Sequence, residues 1–486
     1  MANAYRLLMD TGGAVMATIH RGHIFHISGS PLVLQAKDAL VSYADGALAV
    51  DDAGTIVWCG EWPDRPANLA EATVVDHGDA FIFPGFIDTH MHFPQVYCGD
   101  SYGGGQLLEW LDQCIFPSES SLQDPEFAAH AAVEWCDRMI TAGTTAGLIF
   151  GSAFPHAQDL LFETARDRGL RIVAGRTIQT VGPDSARALI TSEDDAIELT
   201  RQEIEKWHPF DADERRHALQ LVAVVPRFSL AVTTRTLEAL GELYDEYRDR
   251  GLYFTSHLNE NARPGTGEVD TAKAMYQADS YLDIYDGKFL PGSTVGGKSL
   301  LGRRSVMAHS VHCQDSEFAR MAETGTSIAH CPVSQQFLGS GTMPWKRAVA
   351  SGVNIAIGSD WGGGDEVFVP QILNACFKVH ISEAGEDGLS LHPAELLFTG
   401  TLAGARALDL EDRIGNFDVG KEADFVVIEP HRWERYERTL KHMVKPADPT
   451  TARDATLFVA LMLAREVALT GTYVRGQRLE TVGASA

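Results

Sequence analysis

Eight short, near-continuous apolar runs are spaced along the middle of the chain: FIFPGFID (81–88), TTAGLIF (144–150), RIVAGR (171–176), LQLVAVVPR (219–227), GLYFTSH (251–257), RSVMAH (304–309), TSIAH (326–330) and VNIAIGSD (353–360). Runs of this kind read as strands buried on both faces. Between them, stretches such as DPEFAAHAAVEWCDRMITAG and TTRTLEALGELYDEYRDRG space their apolar residues as amphipathic helices do. Eight buried strands alternating with helices predict an α/β fold of the (β/α)8 barrel type. A doubly wound open sheet usually carries a Gly-rich turn after its first strand; here that turn is His-x-His.

The two ends have a different pattern. AYRLLMD, GHIFHIS, GALAVDD and TIVWCG are rich in β-formers and separated by Gly, Asp and Ser, and EADFVVIEP (422–430) and VALTGTYVRGQRLE (467–480) repeat the style. Two β-rich ends around one long middle predict a small β-sandwich formed from residues 1–80 and 413–486, flanking a barrel over 81–412.

Candidate chemistry follows from where the apolar runs end. In FIFPGFIDTHMHFPQ (81–95) side chains alternate faces along the strand, so His90 and His92 point the same way and form a metal clamp. The Pro84-Gly85 pair suits a strand start. A barrel gathers its chemistry at the C-terminal ends of its strands. The first run leads into His90 and His92, the fifth ends in His257, the sixth in His309, the seventh in His330 and the eighth in Asp360. Five of eight ends carry such residues in a chain with 18 His, which points to a metal site rather than chance.

Glu260 follows His257 by three residues. If the chain enters a helix there, His257 binds metal while Glu260 faces the barrel mouth and shuttles protons; the plainer reading is a solvated loop acid. His309 is either a further ligand or a hydrogen-bond donor to water at the metal, His312 reads as structural, and His330 fits hydrogen bonding as well as catalysis. Three His and one Asp around an open position suit one zinc, or iron. The fourth run ends in Pro226, Arg227 and Phe228, with no lysine to bridge two ions. Arg227 offers a planar donor fork to carbonyl and ring-nitrogen acceptors, and Phe228 a stacking face; the alternative is an Arg227 paired with a structural carboxylate. The glycines of GSDWGGGD (358–365) read as positions where backbone approaches the site closely. No H-E-x-x-H, G-x-x-x-x-G-K-[ST] or H-x-E…P-C-x-x-C motif occurs.

Composition narrows the partners. Of 486 residues, 45% are hydrophobic and 22% charged, as in ordinary globular proteins. The net charge of −26 argues against nucleic acid and anionic membranes. Seven scattered cysteines without a C-x-x-C pair fit reduced thiols, and with no basic-then-apolar leader and no membrane-length run a cytoplasmic protein is expected.

With these residues laid out, the chain resembles the amidohydrolase superfamily, and within it the guanine-deaminase branch. The segments that carry the resemblance are PGFIDTHMHFPQ, GQLLEWLDQCIFPSE, VPRF, SHLNEN, MAHSVH, AHCPVSQQFLGSG, GSDWGGG, IGNFDVGKEADFVVIEP and TYVRGQ, in family order over most of the chain. The resemblance implies that His90, His92, His257 and Asp360 hold one zinc, that Glu260, His309 and Asp360 handle protons, and that Gln95, Arg227 and Phe228 bind a purine beside His257 and Glu260. The implied activity is hydrolytic deamination of guanine to xanthine and ammonia in a homodimer. The chain departs from the family pattern in AGRTIQTVGPDS, at Val333 and Gln335, at Asp365 and Glu366, and at Ala464-Arg465. Those departures leave the metal set intact and leave open a related ring, a pterin, an 8-oxopurine or an aminotriazine. A non-catalytic scaffold on the same fold usually loses ligands, and here all are kept.

Overall fold

The computed structural model describes residues 16–99, 101, 106–288, 297–385 and 388–482; the strand predicted at AYRLLMD lies outside them. The N-terminal part gives β1 (Ala17–Ile27), β2 (Leu40–Asp51), β3 (Ile56–Glu61) and β4 (Thr73–Pro84). The barrel follows with β5 (Phe86–His92), β6 (Thr144–Phe150), β7 (Arg171–Gly175), β8 (Thr177–Ile178), β9 (Gln220–Pro226), β10 (Tyr253–Leu258), β11 (Ser305–His309), β12 (Ser327–His330) and β13 (Ile355–Ile357). The C-terminal part adds β14 (Phe425–Ile428), β15 (Leu469–Val474) and β16 (Gln477–Arg478).

Neighbouring barrel strands are parallel from β5 to β13, with β8 extending the third position past a break at Arg176. Between last and first, the Asp360 N–H donates to the His90 carbonyl at 2.8 Å and the Thr89 hydroxyl to the Ile357 carbonyl at 2.7 Å, so the barrel is nearly closed. The predicted helices are present. Pro125–Thr141 is capped by Asp124 and buries Ala128, Ala132, Trp135 and Met139; Thr234–Tyr247 is capped by Thr233 and buries Leu237, Leu240 and Tyr244.

Strands from both chain ends join in one seven-stranded path, β16-β15-β14-β4-β1-β2-β3, not in two separate hydrogen-bonded sets. Its apolar cluster includes Ile24, Leu48, Ile82, Phe425 and Val427. The run at 81–88 proves to be two strands: β4 ends at Pro84 in this end sheet and β5 begins the barrel at Phe86. Both are buried there, so the apolar pattern shows no break. Pro84-Gly85 marks the handover instead of a strand start. The Gly85 N–H donates to the Asp424 carbonyl, and a Cβ on Gly85 would lie 2.1 Å from the Thr145 hydroxyl oxygen. The C-terminal region also holds two helices that the β reading missed, Glu434–His442 and Pro449–Leu463. The second buries Leu457, Ala460 and Leu461, a helical spacing, and packs on helices Val369–Ser382 and Pro393–Gly400.

A buried ion network ties barrel to end sheet. Arg171 of β7 reaches Glu422 at 2.5 Å and Asp424 at 3.2 Å, while Arg413 and Arg475 also bind Glu422. Burial pushes the Glu422 carboxyl up, but the charge of Arg171, the Arg475 hydrogen bond and Arg413 outweigh it and bring it down to about 2. A carboxylate depressed on folding stabilises the fold above its ordinary range near 4.5 and loses that contribution as pH falls toward 2. The full contribution is of order 3 kcal/mol. Glu422→Gln is therefore expected to lower stability at pH 7 by about 3 kcal/mol and to flatten this acid limb, as thermal unfolding across pH will show.

Candidate metal and substrate site

The histidines and the aspartate meet at the C-terminal mouth of the barrel. Ligand-capable atoms of His90, His257, His309 and Asp360 all lie within 4.8 Å of one another, and all four residues are buried. His92 adjoins them, its Nε2 being 3.2 Å from Asp360 Oδ1, and the His90 and His92 ring centres are 5.0 Å apart. Asp360 divides its oxygens: Oδ1 faces His90 (3.1 Å) and His92, whereas Oδ2 faces His309 at 3.8 Å.

The strand ends are shaped for this convergence. Asn259, His309, Ser310 and Asp360 have φ of +50°, +68°, +56° and +51°. A non-glycine residue in the left-handed region costs on the order of 1–3 kcal/mol, strain that collects at functional sites. The His257 Nδ1–H donates to the Arg227 carbonyl at 2.6 Å, which fixes the ring and leaves Nε2 for the site. Asp88, inside β5, accepts from the backbone N–H groups of His90 and Ser359 and so braces the first strand against the last; burial pushes its carboxyl up to about 6 despite those bonds. Sequence reading gave it no role, although an acid within a buried strand was the signal. The glycines after Asp360 do allow close approach: Cβ atoms on Gly362 and Gly363 would lie 2.2 Å from Gln95 Oε1 and 2.8 Å from Asp360 Oδ2.

Electrostatics suit a metal. Burial, then the neighbouring histidines, holds His257 neutral; burial also brings His309 down to about 3 against the pull of Asp360. Neutral imidazole is the ligating form. Burial raises the Asp360 carboxyl, but His90, His92 and His309 outweigh it and hold it well below its usual range. Both nitrogens of His90 and of His309 are buried without a hydrogen-bond partner. Buried polar atoms of native proteins are rarely left so, and this donor set fits a cation such as zinc.

Glu260 is not on a helix. The chain leaves β10 through Asn259 and the next helix begins at Glu268, so a left-handed turn rather than helical spacing turns Glu260 inward. It is 2% exposed, not a solvated loop acid, and its Oε2 is 3.4 Å from His309 Nε2. Burial, then Glu268 and Asp360, raises its carboxyl well above the usual range, which favours the protonated form.

Beside this group lies a cleft. Its polar walls are Gln95, Arg227 and Glu260, with His92, His257 and Asp360 at the base, and Leu107, Trp110, Leu111, Phe228 and Leu338 form the apolar walls. Arg227 is paired with a buried carboxylate, Glu119, at 2.5 and 2.9 Å, yet still lines the cleft. Glu119 closes the segment GQLLEWLDQCIFPSE but was given no role, because the partner that defines one is 108 residues away in the chain. His330 does not join the site. It hydrogen-bonds Gln335 and meets His380 Nε2 at 3.1 Å in a separate buried group with Cys376. His312 binds the Ser340 carbonyl and is structural.

A nearly closed parallel barrel with histidines and an acid converging at its C-terminal mouth defines a hydrolase of the metal-site barrel class. Residues 81–477 match the amidohydrolase family, and the chain belongs to that family. It is 37% identical to a protein of Deinococcus radiodurans named "Probable guanine deaminase", covering 87% of this chain and 91% of that one. It is 33% identical to the guanine deaminase of Escherichia coli K12, covering 91% and 93%. The solved structure of E. coli guanine deaminase superposes with a TM-score of 0.82 at 30% identity, covering 96% of this chain and 99% of that one.

Proposed function

We propose that this protein hydrolyses guanine to xanthine and ammonia. The observation that carries the reading is the joining of two features in one cleft: a buried His/Asp group with orphaned imidazole nitrogens, and Gln95, Arg227 and Phe228 on the adjacent walls. Identity to guanine deaminases over most of the chain supports the choice of ring. So does the position of the departures from the family pattern. Val333, Gln335, Asp365, Glu366, Ala464 and Arg465 are all outside the cleft lining. Gln335 binds the Cys331 N–H, Glu366 accepts from the N–H groups of Val367 and Phe368, and Arg465 caps carbonyls of Leu463 and Ala464.

In this reading His90, His92, His257 and Asp360 hold one zinc per chain. When bound, zinc supplies Lewis acidity that brings the pKa of water from 15.7 toward about 7. Asp360, kept ionised by its histidines, accepts a proton from the attacking water at Oδ2, the oxygen that faces His309. Water oxygen bonds the amine-bearing carbon. Glu260, which starts protonated, delivers its proton to the neighbouring ring nitrogen, and His309 hydrogen-bonds the oxygen on the tetrahedral carbon. The C–N bond then breaks: ammonia leaves with the proton that Asp360 took up, the remaining hydroxyl proton on that carbon returns to Glu260, and a carbonyl is left in place of the amine. The absence of a disulfide among the described residues suits a cytoplasmic setting, a homodimer follows the resemblance, and no described helix is long and apolar enough to cross a membrane.

Ammonia release measured with guanine, a 2-aminopterin, 8-oxoguanine and an aminotriazine tests the reading. Guanine is expected to be the best substrate. Fast turnover of another ring without turnover of guanine would transfer the same machinery to that ring.

A further inference from the structure

Gln95 and Arg227 come from different parts of the barrel, after β5 and after β9, yet both are tied to one carboxylate. Glu119 Oε1 accepts from Gln95 Nε2 at 2.8 Å and from Arg227 Nη2 at 2.9 Å, and Oε2 accepts from Arg227 Nη1 at 2.5 Å. All three side chains are at most 4% exposed, and the Arg227 guanidinium lies 5.0 Å from the Phe116 ring centre. Burial pushes the Glu119 carboxyl up, but Arg227 outweighs it and Glu119 stays ionised.

An ionised carboxylate only accepts hydrogen bonds, so the end of the Gln95 amide that faces it must be the NH2. That leaves Gln95 Oε1 facing away, and it is buried with no partner on the wall of the cleft. Arg227 uses two of its five N–H donors on Glu119 and is held in one plane by that fork. The cleft therefore offers an acceptor at Gln95 and donors at Arg227. A buried acceptor without a donor is costly, and the ring that completes the site supplies it.

We propose that Glu119 is the positioning residue that fixes this polarity, so that the cleft takes the lactam edge of an oxo ring, an N–H beside a C=O, and rejects the reversed edge of an amino-substituted ring. The inference rests on the proposed deamination and names what selects the ring. With Glu119→Gln the carboxamide can donate as well as accept, and nothing then holds the Gln95 amide in one orientation.

The test compares kcat/KM for guanine with that for 2,6-diaminopurine, which keeps the 2-amino group but reverses the neighbouring edge; the inhibition constant of diaminopurine against guanine serves if its turnover is too slow. Wild-type turnover of guanine by itself tests the deamination reading. In Glu119→Gln the guanine-to-diaminopurine ratio is expected to fall by about tenfold or more, mainly through a raised KM for guanine, with metal content unchanged. Equal losses for both rings, with the ratio unchanged, would reduce Glu119 to a structural prop and overturn the proposal. If Glu119→Gln does not fold, Glu119→Asp and Gln95→Met decide: Asp, still ionised, is expected to keep the ratio and Met to lose it. A Gln95→Met protein with the wild-type ratio overturns the proposal equally.

Discussion

Glu260→Gln is expected to lower kcat/KM for guanine by about 100- to 10,000-fold while leaving the metal in place, the range that a positioned general acid–base group supplies. Glutamine has the shape of glutamate but no acidic proton. The local structure is expected to survive, because the loop is held from elsewhere: Glu268 Oε2 accepts from the backbone N–H groups of Glu260 and Asn261, and Tyr281 donates to Glu268 Oε1 at 2.5 Å. Burial and two neighbouring acids push the Glu260 carboxyl well up, and among the described residues no other acid lines the cleft except Asp360, which is held well below the usual range. Steady-state kinetics with elemental analysis of the same preparation checks this. Full turnover in the variant removes Glu260 from the mechanism.

The second large effect concerns the metal. His257→Ala removes a ring whose Nε2 is aimed into the site by the Nδ1 bond to the Arg227 carbonyl, and it leaves that carbonyl without its donor. Metal after gel filtration is expected to fall from one equivalent to below about a tenth, and turnover by about 1,000-fold or more, with the circular dichroism of the folded barrel retained. Retention of a full equivalent would show that the remaining residues hold the ion without His257.

The barrel and the convergence of its histidines and aspartate were legible for the same reason. A strand buried on both faces is apolar to its last residue, so a histidine or acid at its end stands out, as His257, His309 and Asp360 do. The same uniformity hid the change of sheet at Pro84-Gly85, since Phe83 and Phe86 are equally buried. Glu260 was legible as a residue but not in its conformation, because the left-handed turn at Asn259 leaves no periodic trace. Arg227 was legible as a donor fork, whereas its partner Glu119 was not. The partner sits in a short polar-looking stretch, FPSES, and only the fold brings it to Arg227 and Gln95. Pairings between residues so far apart in the chain are set by tertiary contact, which local pattern does not encode.

The converging His/Asp group is proposed to hydrolyse guanine with water. Incubating the metal-loaded protein with guanine in 18O-enriched water and analysing the product by mass spectrometry tests it directly. Xanthine carrying one 18O at the carbon that bore the amine is expected, with one ammonia released per xanthine. Guanine recovered unchanged, or xanthine formed without the label, would contradict it.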